Sequence, residues 1–144
     1  MLKKIPQKMT SDLVKVLMDM GHGNEICLAN GNFPAVDYGR RVVNLSVDSI
    51  SLLLKDILDF MPLDMKSDYP VILMEPMEEG FERPEIWSDY KEIIKSSEEA
   101  KAFKEFKFID RQEFYERAKK CFVIVSTCDK TLYSNIILSK GVIA

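Results

Sequence analysis

The sequence predicts an α/β sandwich, a single domain in which helices cover both faces of a central, largely parallel sheet. Its 144 residues match one ordinary domain in length, and 47% hydrophobic with 30% charged residues is the balance of a folded globule. Amphipathic helical stretches alternate with short apolar runs such as Pro70–Met74. That alternation is typical of parallel strands buried by helices on both sides. We therefore expect residues 1–144 to form one three-layer domain.

The first elements are a helix and a strand joined by a glycine-rich connection. Thr10-Ser11-Asp12 supplies helix-capping oxygens. Apolar residues follow at the i, i+3, i+4 and i+7 spacing of one helical face: Leu13, Val16, Leu17 and Met20. Gly21 is expected to end this helix. Glu25 to Ala29 reads as a strand and Asn30-Gly31-Asn32 as a turn, so His22 lies in a helix-to-strand connection.

The rest of the chain repeats this alternation. Arg41 to Leu45 is rich in β-branched residues and predicts a strand, after which Ser46 can cap a helix that ends at Pro62. The apolar face of that helix carries Ile50, Leu53, Leu54, Ile57 and Met61. The remaining predicted elements are strand Tyr69 to Glu75, helix Pro84 to Ser97, strand Phe106 to Ile109, helix Gln112 to Lys120, strand Phe122 to Ser126 and strand Asn135 to Ser139.

Charge and composition exclude several classes of partner. The formal net charge is -3, from 23 acidic and 20 basic residues with the two signs interspersed, which argues against nucleic-acid binding. No run of about 18 uncharged apolar residues is present to span a membrane. The start of the chain lacks the apolar stretch of a signal peptide, so we expect a cytoplasmic protein. Cys27, Cys121 and Cys128 lack metal-ligand spacing, and with one histidine they predict reduced thiols and no metal site.

Polar residues that follow the predicted strands are the first candidates for a binding site, because ligands of open α/β sheets bind beyond the carboxyl ends of strands. Asn30 and Asn32 follow the first strand, Asp110 and Arg111 follow a later one, and Tyr133-Ser134-Asn135 precedes the last. Short hydrogen-bonding groups with a tyrosine ring for stacking suit a sugar better than a phosphate. Asn30-Gly31 is equally the preferred sequence of a tight type I′ hairpin turn, and the two interpretations are compatible.

His22, the one histidine of the chain, lies between Gly21 and Gly23. Imidazole titrates near neutral pH, which makes His22 the obvious candidate for general acid or base chemistry. The Gly-His-Gly run is not a dinucleotide fingerprint, since it follows a helix and precedes a strand, the reverse of that motif. Cys27 is a poor nucleophile because it lies within an apolar strand.

Several motifs in register resemble the L-fucose mutarotase family, which forms one superfamily with the D-ribose pyranases. The similarity runs over the whole chain. The matching segments are Met20-Gly21-His22-Gly23-Asn24-Glu25-Ile26, Asn32-Phe33-Pro34-Ala35, Phe114-Tyr115-Glu116-Arg117-Ala118, Tyr133-Ser134-Asn135-Ile136-Ile137-Leu138 and Lys140-Gly141-Val142.

The resemblance implies an enzyme that interconverts the α and β anomers of a free monosaccharide, L-fucose, without a cofactor. It further implies that His22 is the general acid. The sugar-contacting positions implied in the same way are Asn30, Asp64, Arg111, Tyr115, Tyr133 and Asn135. Members of the family assemble into homo-oligomers, in bacteria typically ring-shaped decamers, with sites near subunit contacts. Because sugar rings already open slowly in water, the enzyme needs only a modest acceleration. Proton transfer by a positioned side chain typically raises a reaction rate about 10²- to 10⁴-fold.

The main departure from the family is Asn30, which stands where an aspartate is usual. An amide accepts a hydrogen bond but cannot take a proton. We hypothesise that the role of a carboxylate is dispensable here or is supplied by Asp37 or Asp64. Ser134 gives the Tyr-Ser-Asn of ribose pyranases, so a pyranase acting on D-ribose is one alternative. A noncatalytic sugar-binding or regulatory protein is another.

Overall fold

The computed structural model describes residues 1–144 and is built around one six-stranded sheet. The strands are β1 (Glu25–Ala29), β2 (Val42–Asn44), β3 (Val71–Met74), β4 (Lys107–Ile109), β5 (Val123–Ser126) and β6 (Ile136–Ser139). The helices are α1 (Ser11–Asp19), α2 (Ala35–Tyr38), α3 (Ile50–Leu58), α4 (Glu85–Lys95) and α5 (Arg111–Lys120), with a short 3₁₀ helix at Ala100–Ala102. None of these helices combines the length and the apolar character that crossing a lipid bilayer requires.

The sheet has the strand order β2-β5-β1-β6-β3-β4, and five of its strands run in one direction. The exception is β6, which lies antiparallel between β1 and β3. The prediction of a largely parallel sheet is therefore confirmed. Because β6 runs backwards, the residues that precede it lie at the edge of the sheet where the other five strands end.

Alternation along the strands builds two separate cores. In β1, Ile26 and Leu28 pack into the larger core with the helices α1, α3 and α4, while Cys27 and Ala29 face the smaller core with α2 and α5. Successive side chains of a strand point to opposite faces, so a strand that is apolar at every position must be covered twice. The predicted three-layer sandwich is confirmed.

The structure corrects three local predictions. The helix α3 is capped by Ser49, whose Oγ accepts the Leu52 N–H at 3.2 Å, because Ser46 still lies in the extended segment after β2. Gly21 does not end α1, since the last helical residue is Asp19 and the chain is already extended at Met20. The type I′ hairpin at Asn30-Gly31 is wrong: β1 pairs with β5 and β6, and neither turn residue has a positive φ.

Candidate active site

Five of the seven predicted site residues lie at the edge where β1, β3 and β4 end and β6 begins. We call these residues the carboxyl-edge cluster: Asn30, Arg111, Tyr115, Tyr133 and Asn135. Asn30 directly follows β1, Arg111 begins α5 after β4, and Asn135 directly precedes the reversed strand β6. Polar residues that follow β1 and β4 thus lie at the same edge as those that precede the reversed strand β6.

Asn30 is a buried amide that joins two segments of the cluster. Its main-chain N–H donates to Asn135 Oδ1 at 2.8 Å, and its Nδ2 donates to the Thr131 carbonyl at 3.1 Å. Its Oδ1 accepts the Asn32 N–H at 3.1 Å. One neighbour of the amide is a donor and the other an acceptor, a pair of contacts that a carboxylate cannot make. Asn30 thus holds the loop before β6 in place, and Asn135 keeps its Nδ2 as a donor for a ligand.

Tyr133 is held in a backbone conformation that few residues adopt. Its φ is +58°, in the left-handed region that is unfavourable for a bulky side chain. Two buried side chains of α4 fix its carbonyl and that of the next residue: Trp87 Nε1 donates to the Tyr133 carbonyl at 2.9 Å, and the Tyr90 hydroxyl donates to the Ser134 carbonyl at 2.7 Å. The Tyr133 side chain is half-buried, and its hydroxyl donates a hydrogen bond to the Glu78 carboxylate at the surface.

Arg111 and Tyr115 lie one turn apart on α5 and form the other side of the cluster. Arg111 Nε donates to the Tyr115 hydroxyl at 3.1 Å. The Tyr115 ring contacts Phe33 edge-on, with ring centroids 5.3 Å apart, and lies 5.1 Å from the ring of Tyr38. These aromatic contacts fix the Tyr115 ring beside the Arg111 guanidinium. Together the two side chains present a cation, a hydroxyl and an aromatic face.

His22 lies at the opposite edge of the sheet, in the turn between α1 and β1. Gly23 has a φ of +82°, a conformation that favours glycine, and its N–H donates to the Lys140 carbonyl at 2.8 Å. Lys140 Nζ in turn donates to the carbonyls of Leu17 and Met20 at the end of α1. The turn that carries the imidazole is therefore tied to the strand β6 and to the helix before it.

Asp64 is the partner of His22. The two residues are 42 positions apart, and His22 Nε2 lies 3.0 Å from Asp64 Oδ1. Burial opposes ionisation of Asp64, but the hydrogen bonds from His22 and from the Lys66 N–H lower the pKa of this carboxyl below its ordinary value. An ionised carboxylate only accepts, so Nε2 carries the hydrogen and Nδ1 is the nitrogen available to a ligand.

The surface around His22 is apolar. A cleft of about 600 Å³ opens beside the imidazole, and its exposed lining includes Met18, Phe60, Val142 and Ile143. A second apolar cleft of about 790 Å³ runs along α1 beneath the first residues of the chain. Contiguous apolar surface of this kind is typical of a protein interface.

The structure does not bring the predicted site residues into one place. His22 precedes β1 and Asn30 follows it, so the five residues of β1, at about 3.3 Å each, keep them roughly 17 Å apart. Of the two carboxylates proposed to replace the usual aspartate, Asp64 contacts His22, whereas Asp37 is exposed on α2 at the other edge. The chain thus carries a titratable pair at one edge and a hydrogen-bonding cluster at the other.

Sequence reasoning missed three residues of the carboxyl edge. Trp87 and Tyr90 were assigned only to a helix, since a hydrogen bond from a buried ring to a loop some 45 residues away has no local signal. Glu78 lies in the acidic, glycine-containing segment between the predicted strand Tyr69 to Glu75 and the predicted helix Pro84 to Ser97. No sequence pattern distinguishes Glu78 from the other glutamates of this segment, Glu79 and Glu82.

The cysteines stay outside the site, as expected. Cys27 and Cys121 are buried and Cys128 is exposed, and all three are free thiols. Burial raises the pKa of Cys27 well above its ordinary value and that of Cys121 to about 12. The thiolate form is therefore disfavoured at both buried positions, which excludes them as nucleophiles.

Fold and site together define a three-layer α/β protein with a polar, aromatic cluster at the carboxyl edge and a histidine–carboxylate pair at the other. The chain belongs to the family described as the RbsD / FucU transport protein family, which matches residues 3–143. The family resemblance of the sequence motifs is therefore confirmed.

Three known proteins show how close the similarity is. Human fucose mutarotase is 38% identical over 150 residues, covering 99% of this chain and 95% of the human one. The crystal structure of the fucose mutarotase from Streptococcus pneumoniae in complex with L-fucose is also 38% identical, with a TM-score of 0.90 over 99% of this chain and 100% of that chain. Bacillus subtilis RbsD, complexed with D-ribose, is 22% identical with a TM-score of 0.76 and full coverage of both chains, and shows the common fold alone.

Proposed function

We propose that this chain is a cofactor-free sugar mutarotase that interconverts the α and β anomers of L-fucose. Similarity to fucose mutarotases along almost the whole chain supports the reaction and the sugar. The observation that carries the proposal is the His22–Asp64 pair, a titratable imidazole held by a carboxylate and exposed to a ligand. We place the enzyme in the cytoplasm, as its composition and free thiols suggest.

In this mechanism His22 is the general acid. Asp64 accepts the Nε2 hydrogen and stabilises the imidazolium, so His22 Nδ1 delivers a proton to the ring oxygen of the sugar. The bond between the anomeric carbon and the ring oxygen then breaks, while a base takes the proton of the anomeric hydroxyl. Rotation about the adjacent carbon–carbon bond and reclosure on the other face give the second anomer.

A complete site requires two copies of the chain. The separation of roughly 17 Å across β1 is more than one monosaccharide spans, so His22 of a protomer cannot act on a sugar held by its own carboxyl-edge cluster. The apolar surface around His22 is suited to docking a second copy, with Met18 exposed to 78% and Ile143 to 87%. We propose a homo-oligomer in which one copy supplies His22 and Asp64 and its neighbour supplies the cluster. A decamer is the form that the bacterial resemblance suggests.

In the cluster, the donors and acceptors suit a polyhydroxylated ligand. Asn135 Nδ2, the hydroxyls of Tyr133 and Tyr115 and the Arg111 guanidinium each offer a hydrogen bond to a sugar hydroxyl. The Tyr-Ser-Asn sequence does not argue for ribose, since Ser134 is fully buried and its Oγ donates to the Thr131 carbonyl at 2.8 Å. Asp64 beside His22 also argues against a pure binding protein, which has no need of an oriented titratable group.

Exchange NMR on equilibrated L-fucose, D-ribose and D-galactose tests the function. We expect the protein to accelerate anomer exchange of L-fucose above that of the other sugars. Replacing His22→Ala should remove about 10²- to 10⁴-fold of the rate. Wild-type exchange that His22→Ala leaves unchanged would overturn the assignment of the acid, and binding of the sugar without acceleration would favour the noncatalytic alternative.

A further inference from the structure

The loop between β3 and α4, residues 75–84, covers Tyr133 at the carboxyl edge. Phe81 packs against the Tyr133 ring with centroids 5.0 Å apart at an interplanar angle of 65°, and Glu78 accepts the Tyr133 hydroxyl. The loop begins where β3 ends, at the same edge as the cluster. It therefore places a carboxylate directly against a residue assigned to the sugar.

Glu78 is an ionised acceptor in this position. The hydrogen bond from Tyr133, then one from its own main-chain N–H and, more weakly, the positive charge of Arg111 lower the pKa of Glu78. The same hydrogen bond raises the pKa of Tyr133, so the tyrosine remains the donor of the pair. At neutral pH Glu78 is accordingly ionised, with a carboxylate oxygen against the Tyr133 hydroxyl.

Two other carboxylates near this edge already accept main-chain hydrogen bonds. Asp110 caps α5 by accepting the Glu113 N–H at 2.8 Å. Asp129 is buried and accepts two main-chain N–H groups, those of Ile50 and Thr131, each at 2.8 Å. Asp37 is exposed on α2, and Asp64 is committed to His22 at the far edge. Glu78 differs from all of these because its side-chain partner is a hydroxyl that a ligand can replace.

We propose that Glu78 is the proton acceptor of the mutarotase reaction, the carboxylate that the neutral Asn30 cannot be. The inference rests on the proposed function. Glu78 takes the proton of the anomeric hydroxyl, whose oxygen forms the carbonyl of the open chain. The electron pair of the breaking bond goes to the ring oxygen, which takes its proton from His22 of the neighbouring copy. On reclosure Glu78 returns its proton to the new anomeric oxygen and His22 recovers its own, so both groups end each cycle unchanged.

Glu78→Gln tests this assignment, with Glu79→Gln as the matched control because Glu79 is an exposed neighbour in the same loop. By exchange NMR on L-fucose with the assembled protein, we expect Glu78→Gln to lower kcat by about 10²- to 10⁴-fold and Glu79→Gln to leave it unchanged. The decline of the wild-type rate at acidic pH, where a base becomes protonated, should disappear in Glu78→Gln. Wild-type kcat in Glu78→Gln would overturn the proposal.

Tyr133→Phe distinguishes two roles for Glu78, a base in the reaction and a group that only anchors the loop. This variant removes the same hydrogen bond but keeps the carboxylate, so the pKa of Glu78 should rise and the acidic decline of kcat should move to higher pH. If Glu78 only anchors the loop, both variants lose the same rate and neither alters the pH profile, which contradicts the proposal. If Glu78→Gln is fully active while His22→Ala is impaired, Glu78 is wrong and the mutarotase stands. If the wild type accelerates no sugar, both proposals fail.

Discussion

The two edges of the sheet differ in how their functional groups are held. At the carboxyl edge, Asn30, Ser134 and Asn135 are buried and hydrogen-bonded. Hydrogen bonds from α4 fix the main-chain carbonyls of Tyr133 and Ser134. At the other edge, the His22 side chain is 38% exposed and its ring is held by Asp64. The first region is a rigidly held set of hydrogen-bonding groups, and the second is a titratable group on an exposed apolar surface. The proposed division of the site predicts that activity requires two copies of the chain.

Mixing two inactive variants tests this division most strongly. His22→Ala keeps the cluster, and Asn135→Asp keeps the acceptor for the Asn30 N–H but loses the Nδ2 donor. Each alone should have little activity. After dissociation and reassembly together, interfaces that combine the intact His22 with the intact cluster should form, and L-fucose exchange should return in a fraction of sites.

The matched control mixes wild type with the double variant carrying both changes, which restores no additional site. Light scattering after size-exclusion chromatography measures the oligomeric state of each sample. Failure of the mixed oligomers to regain activity, or a wild type that is active as a monomer, would contradict the division of the site between copies.

Asn30→Asp tests whether the carboxyl edge needs an amide. The substitution puts a buried carboxylate oxygen against the Thr131 carbonyl, 3.1 Å from the present Nδ2, and removes a donor. We expect a loss of about 1 to 3 kcal/mol in the free energy of unfolding, because a hydrogen bond of the buried residue 30 is replaced by repulsion between two oxygen atoms. The rate of L-fucose exchange should fall as the loop before β6 shifts.

Asn32→Asp is the control, since Asn32 lies exposed in the same turn. Denaturant unfolding and exchange NMR measure both variants. A rate gain in Asn30→Asp would show instead that a carboxylate here is useful and that the amide is a handicap.

The smallest expected effect is the acid sensitivity of the His22 edge. Asp64 has a lowered pKa in the folded protein, so it binds fewer protons than in the unfolded chain. Its contribution to stability is complete above its unfolded pKa of about 3.9 and is lost as the pH falls through the lower folded value. Asp64→Asn should therefore remove part of the decline in unfolding free energy as the pH falls below about 4. Chemical denaturation across this range measures the difference, and Asp68→Asn, in the same loop, should behave like wild type.

The elements with strong local signals were predicted well, and those set by distant contacts were not. The strand β1 has the predicted bounds, and α1 has the predicted cap, with Thr10 Oγ1 accepting the Leu13 N–H. By contrast α2, only four residues long, was missed, because such a helix has no apolar period to recognise. The cap of α3 was misplaced because two serines lie three positions apart and only tertiary pairing of the residues after β2 decides between them.

Within the candidate site, the rule for parallel sheets accounts for Asn30 and Arg111, which follow strands, whereas Asn135 precedes a strand and reaches this edge only because β6 is reversed. That a carboxylate role is dispensable, or is supplied by Asp37 or Asp64, stays a prediction; Asp64 contacts His22, whereas Asp37 is exposed. The contact of Glu78 with Tyr133 had no sequence signal, since 55 residues separate the two and the loop pattern is unspecific.

By itself the sequence determined the layered architecture, because strands that are apolar at every position require cover on both faces and amphipathic helices supply it. It also determined the chemical groups available, with one imidazole and a set of hydrogen-bonding residues after the strands. Tertiary structure decided where those groups lie. The reversed strand β6 between β1 and β3 brings Tyr133 and Asn135 to Asn30 and carries Lys140 to the turn of His22. The partner of a strand is fixed by long-range packing and hydrogen bonding, which no local pattern of residues records.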